Sequence, residues 1–180
     1  TTTQVLKVLQ ILSWIIFIGL CIEAGSIAVN TFITLFINPA AVKNFWEGAG
    51  YLSSLYTFDQ SHFIVITIIM IIVAILKAFM FYLIVKLFTE KKLNMSQPFS
   101  QGLRTFILHM SYLALGIGLF SQSGYKFSLW LNAQGLPPAD LQSLQLAGAD
   151  VWLFMAVILF VIVQVVKKGI EIQNENDLTI

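Results

Sequence analysis

Charge is the scarcest feature of this sequence. Only 11% of its 180 residues are Asp, Glu, Lys or Arg, and 58% are apolar. A typical soluble domain carries about 25% charged and about 45–50% apolar residues. A soluble fold of this size cannot bury so much hydrocarbon, so that class is excluded. Ten Lys plus Arg against nine Asp plus Glu leave a formal charge of +1. With no basic excess there is no electrostatic footprint for DNA or RNA, and direct nucleic-acid binding is excluded. The single cysteine, Cys21, rules out an intrachain disulfide and a thiolate metal cluster.

Apolar residues fall in four long blocks separated by short polar stretches, the pattern of a chain whose solvent is lipid. The first, Ile11 to Ile37, contains one charge, Glu23; the second, Phe63 to Val85, contains one, Lys77. The third, Thr105 to Phe120, and the fourth, Val151 to Val166, reach spanning length by recruiting flanks as far as Tyr125 and back to Leu146. The expected architecture is all-α, an integral membrane four-helix bundle forming a single transmembrane domain over 1–180. Spans fall at about 8–37, 62–88, 104–125 and 146–169, with a tail over 170–180. Lys7 precedes an apolar run as in a signal sequence, but no small-x-small site follows, so the first helix is expected to stay attached. Ile18-Gly19-Leu20-Cys21 has Leu where a lipoprotein site needs a small residue.

Basic residues in short loops stay on the cytoplasmic side. Lys7, Lys86, Lys91, Lys92, Arg104, Lys167 and Lys168 fall on one side, Lys43 and Lys126 on the other, and Lys77 within the membrane. Both termini are therefore expected in the cytoplasm. On the outer side, Asn38-Pro39 reads as an N-cap followed by Pro at the first helical position, with Phe45, Trp46, Tyr51 and Tyr56 behind it. A short interfacial helix is predicted there. The stretch from Leu129 to Ala149, with Trp130, Pro137-Pro138 as a helix start, then Leu141, Leu144 and Leu146, is predicted to lie on the membrane too.

Polar residues inside the spans need partners, because an unpartnered charge near mid-bilayer costs several kcal/mol. In the first span Gly19, Glu23, Ser26, Asn30 and Thr34 share a helical stripe; in the third, His109, Tyr112, Gly116 and Ser123; in the fourth, Asp150, Leu153, Val157, Phe160 and Gln164. Turned inward, the stripes predict a polar column of Glu23, Asn30, Lys77, His109, Tyr112, Asp150 and Gln164, serving as interhelical glue or as a hydrated path for a headgroup or protons. Counting from the basic belt puts Glu23 about 24 Å deep, Lys77 about 13 Å and His109 about 8 Å. Glu23 and Lys77 are the best ion-pair candidates, with snorkelling as the alternative for Lys77.

Nothing in the spacing suggests catalysis. His62 and His109 belong near opposite faces and cannot share a metal, and there is no phosphate loop, nucleophile elbow or carboxylate–histidine pair at i, i+4. No enzyme activity, cofactor or metal is expected. Gly116-Ile117-Gly118 reads as close helix packing.

Two further segments carry a resemblance. One is Leu93-Asn94-Met95-Ser96-Gln97-Pro98-Phe99-Ser100; the other is the ending Lys168-Gly169-Ile170-Glu171-Ile172-Gln173-Asn174-Glu175-Asn176-Asp177-Leu178-Thr179-Ile180. Over the whole chain the sequence resembles the YoaS-like bacterial family of small four-span membrane proteins, domain of unknown function 2975. The resemblance implies the inner membrane of a bacterium. Such proteins are often encoded beside a small helix-turn-helix regulator, which implies a membrane sensor that holds or releases that regulator. It transfers no catalytic residue. Pro98, Phe99, Glu171, Glu175, Asp177, Leu178 and Ile180 are the docking candidates, since the tail is acidic yet ends on apolar residues, and Lys167–Glu171 is a candidate i, i+4 pair across a weak point at Gly169. Beside this docking reading stand a small transporter or lipid-binding protein using the Glu23 column, and an accessory subunit of a membrane complex. A homo-oligomer stays open.

Overall fold

The computed structural model describes the backbone of residues 2–45, 49–90 and 99–177, and the side chains of 4–45, 49–90 and 99–175. These form α1 (Thr2–Phe36), a 3-10 helix (Pro39–Asn44), α2 (Ala49–Phe58), α3 (Gln60–Thr89), α4 (Gln101–Ala133) and α5 (Ala149–Asp177). Four of them, α1, α3, α4 and α5, are long and apolar enough to cross a membrane. At 1.5 Å per residue α3 is about 45 Å long, more than the roughly 30 Å of hydrocarbon it has to cross.

Local chemistry sets the starts. The Asn38 side chain accepts from the Ala40 amide at 3.0 Å with Pro39 at the first helical position, so the expected short helix is there, in 3-10 form. Asp59 accepts from the amides of Ser61 (2.6 Å) and His62 (3.3 Å) to open α3, and Ser100 accepts from Leu103 at 3.2 Å to open α4. Gly135, at φ +102°, ends α4 in the left-handed conformation that glycine tolerates best. Hydroxyls within the spans return to their own helix: Thr31 to Ile27, Thr67 to Phe63, Ser111 to Ile107 and Ser123 to Leu119.

The long helices pack in chain order, α1 on α3, α3 on α4 and α4 on α5, with α3 the most buried; α1 touches neither α4 nor α5. We call the end bearing α2 and the 3-10 helix the cap end, and the opposite end, where α5 finishes, the tail end. At the cap end Leu52, Leu55, Phe63, Ile66, Leu131 and Leu144 are fully buried in one cluster. Here two expectations need correction. No helix starts at Pro137-Pro138: the chain is irregular from Leu136 to Asp140 and then turns, the Gln142 amide donating to the Asp140 carboxylate at 3.0 Å. That turn sinks into the protein, burying Leu144 and Leu146 completely. Phe45 and Tyr51 are likewise buried inside the cap, and Tyr56 packs edge-on to Phe63 with ring centres 5.2 Å apart. Trp46 lies outside the described residues.

Two helices also outrun their apolar blocks. α4 continues past Tyr125 to Ala133, and α5 passes through Gly169 to Asp177. Gln122, Ser123, Lys126 and Asn132 interrupt the apolar run in α4 without interrupting its backbone hydrogen bonding.

Candidate functional site

The polar stripe of α1 reaches a cavity. Gly19, Glu23, Ser26 and Asn30 line a pocket of about 290 Å³ beneath the cap, closed by Phe45, by Met70 of α3 and by Ser143 and Gln145 of the returning turn. Glu23 Oε1 is buried and has no hydrogen-bond partner among the described residues. Asn30 Nδ2 donates to the Asn44 carbonyl at 3.3 Å, tying α1 to the 3-10 helix. Thr34, on the same stripe, is fully buried above it.

Lys77 does not pair with Glu23. Its ammonium donates to the backbone carbonyl of Gln145 at 3.0 Å, and the two charges act on one another without contact. Gln145 sits at φ +60°, left-handed for a residue with a Cβ, a conformation costing roughly 1 kcal/mol or more. The bent turn brings its carbonyl down to the ammonium, which is why neither the ion pair nor simple snorkelling describes Lys77.

The remaining members of the expected column lie elsewhere. His109 is exposed and lines a separate pocket of about 410 Å³ at the tail end with Lys86, Glu90, Gln101 and Thr105. Tyr112 is 56% exposed and packs edge-on to Phe160 at 5.3 Å. Asp150 is exposed at the start of α5, beside Gln122 and Tyr125, and Gln164 is exposed midway along α5. The structure thus brings Glu23 and Asn30 together, with Lys77 touching the same turn, and separates the other four. The buried face of α4 is instead made largely of small residues, Ser111, Ala114, Gly118, Ser121, Gly124 and Ser128, together with Ile117 and Leu131. A Cβ on Gly118 would lie 2.7 Å from Leu153, so α4 and α5 approach as close as glycine allows.

At the tail end Phe99, described with Ser100 from the first segment carrying the resemblance, meets the second at Gly169. The Phe99 ring lies against Gly169, where a Cβ would come within 2.7 Å of it. Phe99, Val165, Lys168, Gly169, Ile172 and Gln173 border a largely apolar pocket of about 560 Å³. Gly169 is therefore a seat for Phe99 rather than a break in the helix. Lys168, not Lys167, pairs with Glu171, at 3.2 Å and i, i+3 spacing. α5 carries Glu171 and Glu175 on its last turns. Pro98, Leu178 and Ile180 lie outside the described residues, as does the side chain of Asp177. Beyond the spans, burial pushes the Tyr51 phenol above its ordinary range, and the Ser61 amide holds the Asp59 carboxyl below its own. Among the described residues no group of three or more His, Cys, Asp or Glu is placed to hold a metal ion.

Four apolar helices beneath a packed cap, with a turn folded back to a lysine in the second span, define a multi-pass helical membrane protein. Comparison of sequences then gives its family. The chain belongs to the family described as protein of unknown function DUF2975, whose sequence model matches residues 34–180. The match takes in the cap, the turn and the tail, and leaves the Glu23 wall of α1 outside it. No curated protein and no solved structure matches the chain.

Proposed function

We propose that this is a non-enzymatic bacterial inner-membrane sensor or regulator that holds a cytoplasmic partner at the tail end. The observation that carries the reading is the seat of Phe99 on Gly169. It sets Phe99 against α5 at the end of the assembly where Lys7, Lys86, Arg104, Lys167 and Lys168 gather. That basic belt supports a cytoplasmic tail end. At about 44 Å, α5 is longer than the hydrocarbon it crosses, so its last turns, with Glu171 and Glu175, project beyond it. A basic helix-turn-helix regulator, the partner the family resemblance implies, suits an acidic projecting helix beside an apolar notch.

Affinity capture from native membranes tests this. Removing Asn174 to Ile180 leaves every span intact and should abolish partner recovery while changing thermal stability little. Neutralising Glu171, Glu175 and Asp177 should weaken capture in a salt-sensitive way, because exposed charge is screened over about 8 Å at physiological ionic strength. Replacing Leu178 and Ile180 with Ser should weaken it at any salt. Unchanged recovery after truncation refutes the docking reading.

The Glu23 pocket favours a second reading, a small transporter or lipid-binding protein. Glu23→Gln separates the two: docking should tolerate it, and transport or ligand binding should not.

A further inference from the structure

The pocket beneath the cap holds one carboxylate and no cationic side chain in its lining. Glu23 Oε1 is buried without a hydrogen-bond partner among the described residues. One N–H of the Asn30 amide is taken by the Asn44 carbonyl, leaving its Oδ1 as an acceptor and one further N–H. Lys77, whose charge acts on Glu23 without contact, is held on the Gln145 carbonyl at 3.0 Å. The rest of the lining is hydroxyl, from Ser26 and Ser143, or apolar, including Ile22, Phe45 and Met70.

These features select a ligand by exclusion. An anion would face the Glu23 carboxylate across a small apolar-walled space. A bare divalent cation wants six or more oxygens, and much of this wall is hydrocarbon. A neutral guest would leave the buried Glu23 Oε1 with no counter-charge in contact. A primary ammonium brings the missing charge and three N–H donors. At about 290 Å³ the pocket is near the lower end of ligand-site volumes, room for a head and a short stretch of chain. Its α1 wall stands at the edge of the assembly, since α1 packs against α3 and the 3-10 helix and against no other helix.

We propose that this pocket binds the primary ammonium head of an amphiphile, with Glu23 as counter-ion, Asn30 and Ser26 accepting its remaining N–H groups, and Phe45, Met70 and Ile22 covering the adjoining methylenes. The same chemistry is found on an ethanolamine phospholipid and on a free alkylamine.

The test uses the full chain in nanodiscs of phosphatidylcholine and phosphatidylglycerol, which carry no primary amine. Octylamine should raise the melting temperature and bind at least tenfold more tightly than octanol or trimethyloctylammonium, which lack the charge or the N–H donors. Glu23→Gln should lose at least tenfold in octylamine affinity. Gly19→Leu guards against misfolding: Gly19 borders the pocket and a Cβ there meets nothing within 4 Å, so the variant should fold with a ligand-free melting temperature no lower than wild type while the added bulk at the pocket wall should weaken binding. Displacement of octylamine by added phosphatidylethanolamine assigns the site to a lipid headgroup; no displacement assigns it to a free amine, and both support the ammonium class. Equal binding of octylamine and octanol, or octylamine affinity unchanged in both variants, overturns the proposal. The ligand class stands apart from docking: a protein that binds octylamine and captures no partner refutes only the docking reading.

Discussion

The ammonium of Lys77 donates to the backbone carbonyl of Gln145, 3.0 Å away and 68 positions on in sequence. A cation in the second span is thereby satisfied by main chain from the loop before the last. Lys77→Met should destabilise the protein in detergent by about 1–3 kcal/mol, the cost of leaving a buried acceptor unmet. Gln145→Gly keeps the carbonyl and relieves the positive φ, so its net effect should stay within about 1 kcal/mol. In a double-mutant cycle, Glu23→Gln and Lys77→Met should couple by less than about 1 kcal/mol, since the two charges attract without touching. A coupling as large as either single loss would restore the direct pair.

Close packing of α4 on α5 gives a sharp contrast between glycines. A Cβ at Gly118 would meet Leu153 side-chain carbon at 2.7 Å and Leu153 backbone nitrogen at 3.1 Å. Gly118→Ala should therefore cost about 1–3 kcal/mol through forced separation of the helices. At Gly25 an added Cβ meets nothing within 4 Å, so Gly25→Ala should be neutral or stabilising by up to about 1 kcal/mol through helix propensity. Melting temperatures of the two variants in one detergent decide it.

Asp59 predicts an acid limb in stability. Hydrogen bonding from the Ser61 amide holds its carboxyl below the ordinary value in the folded state. A depressed folded pKa means the contribution is fully present above the unfolded value of about 3.9 and is lost as pH falls through the lower folded value. Thermal unfolding of the wild type should show that loss below about pH 4. Asp59→Asn should keep the cap and lose the pH dependence of this site; Asp59→Ala should be less stable at neutral pH.

Orientation is tested by thiol labelling in a Cys21→Ser background. Cysteines at the exposed cap positions Ser54 and Gln142 should react with a membrane-impermeant reagent in intact cells, and one at Glu171 should not. Labelling at Glu171 alone would invert the assignment.

How far the sequence foretold this arrangement depends on which chemistry marked each residue. Apolar runs marked the spans well, because length against bilayer thickness is a strong constraint. They marked the helix ends poorly in α4 and α5, where polar residues or Gly169 interrupt hydropathy but not hydrogen bonding. Of the stripe read on α1, Glu23, Ser26 and Asn30 line one pocket. On α4 the same reading pointed the other way: His109 and Tyr112 are exposed, and small residues from Ser111 to Ser128 make the contact face. Their spacing was available in the sequence as a packing signal. The partner of Lys77 was not, because a backbone carbonyl has no residue signature and Gln145 adopts its positive φ without being a glycine. The contact of Phe99 with Gly169 was hidden for a related reason, since a glycine announces space without announcing its occupant.

The central claim is that the Phe99–Gly169 surface is a docking site, and one measurement addresses it directly. A photo-crosslinking residue placed at Ile172, which is 48% exposed and borders the same notch, is irradiated in native membranes. The account predicts one dominant adduct with a cytoplasmic protein, lost when Phe99→Ser disturbs the notch and retained in Glu23→Gln. Adducts with lipid alone, or a protein adduct that persists undiminished in Phe99→Ser, would contradict it.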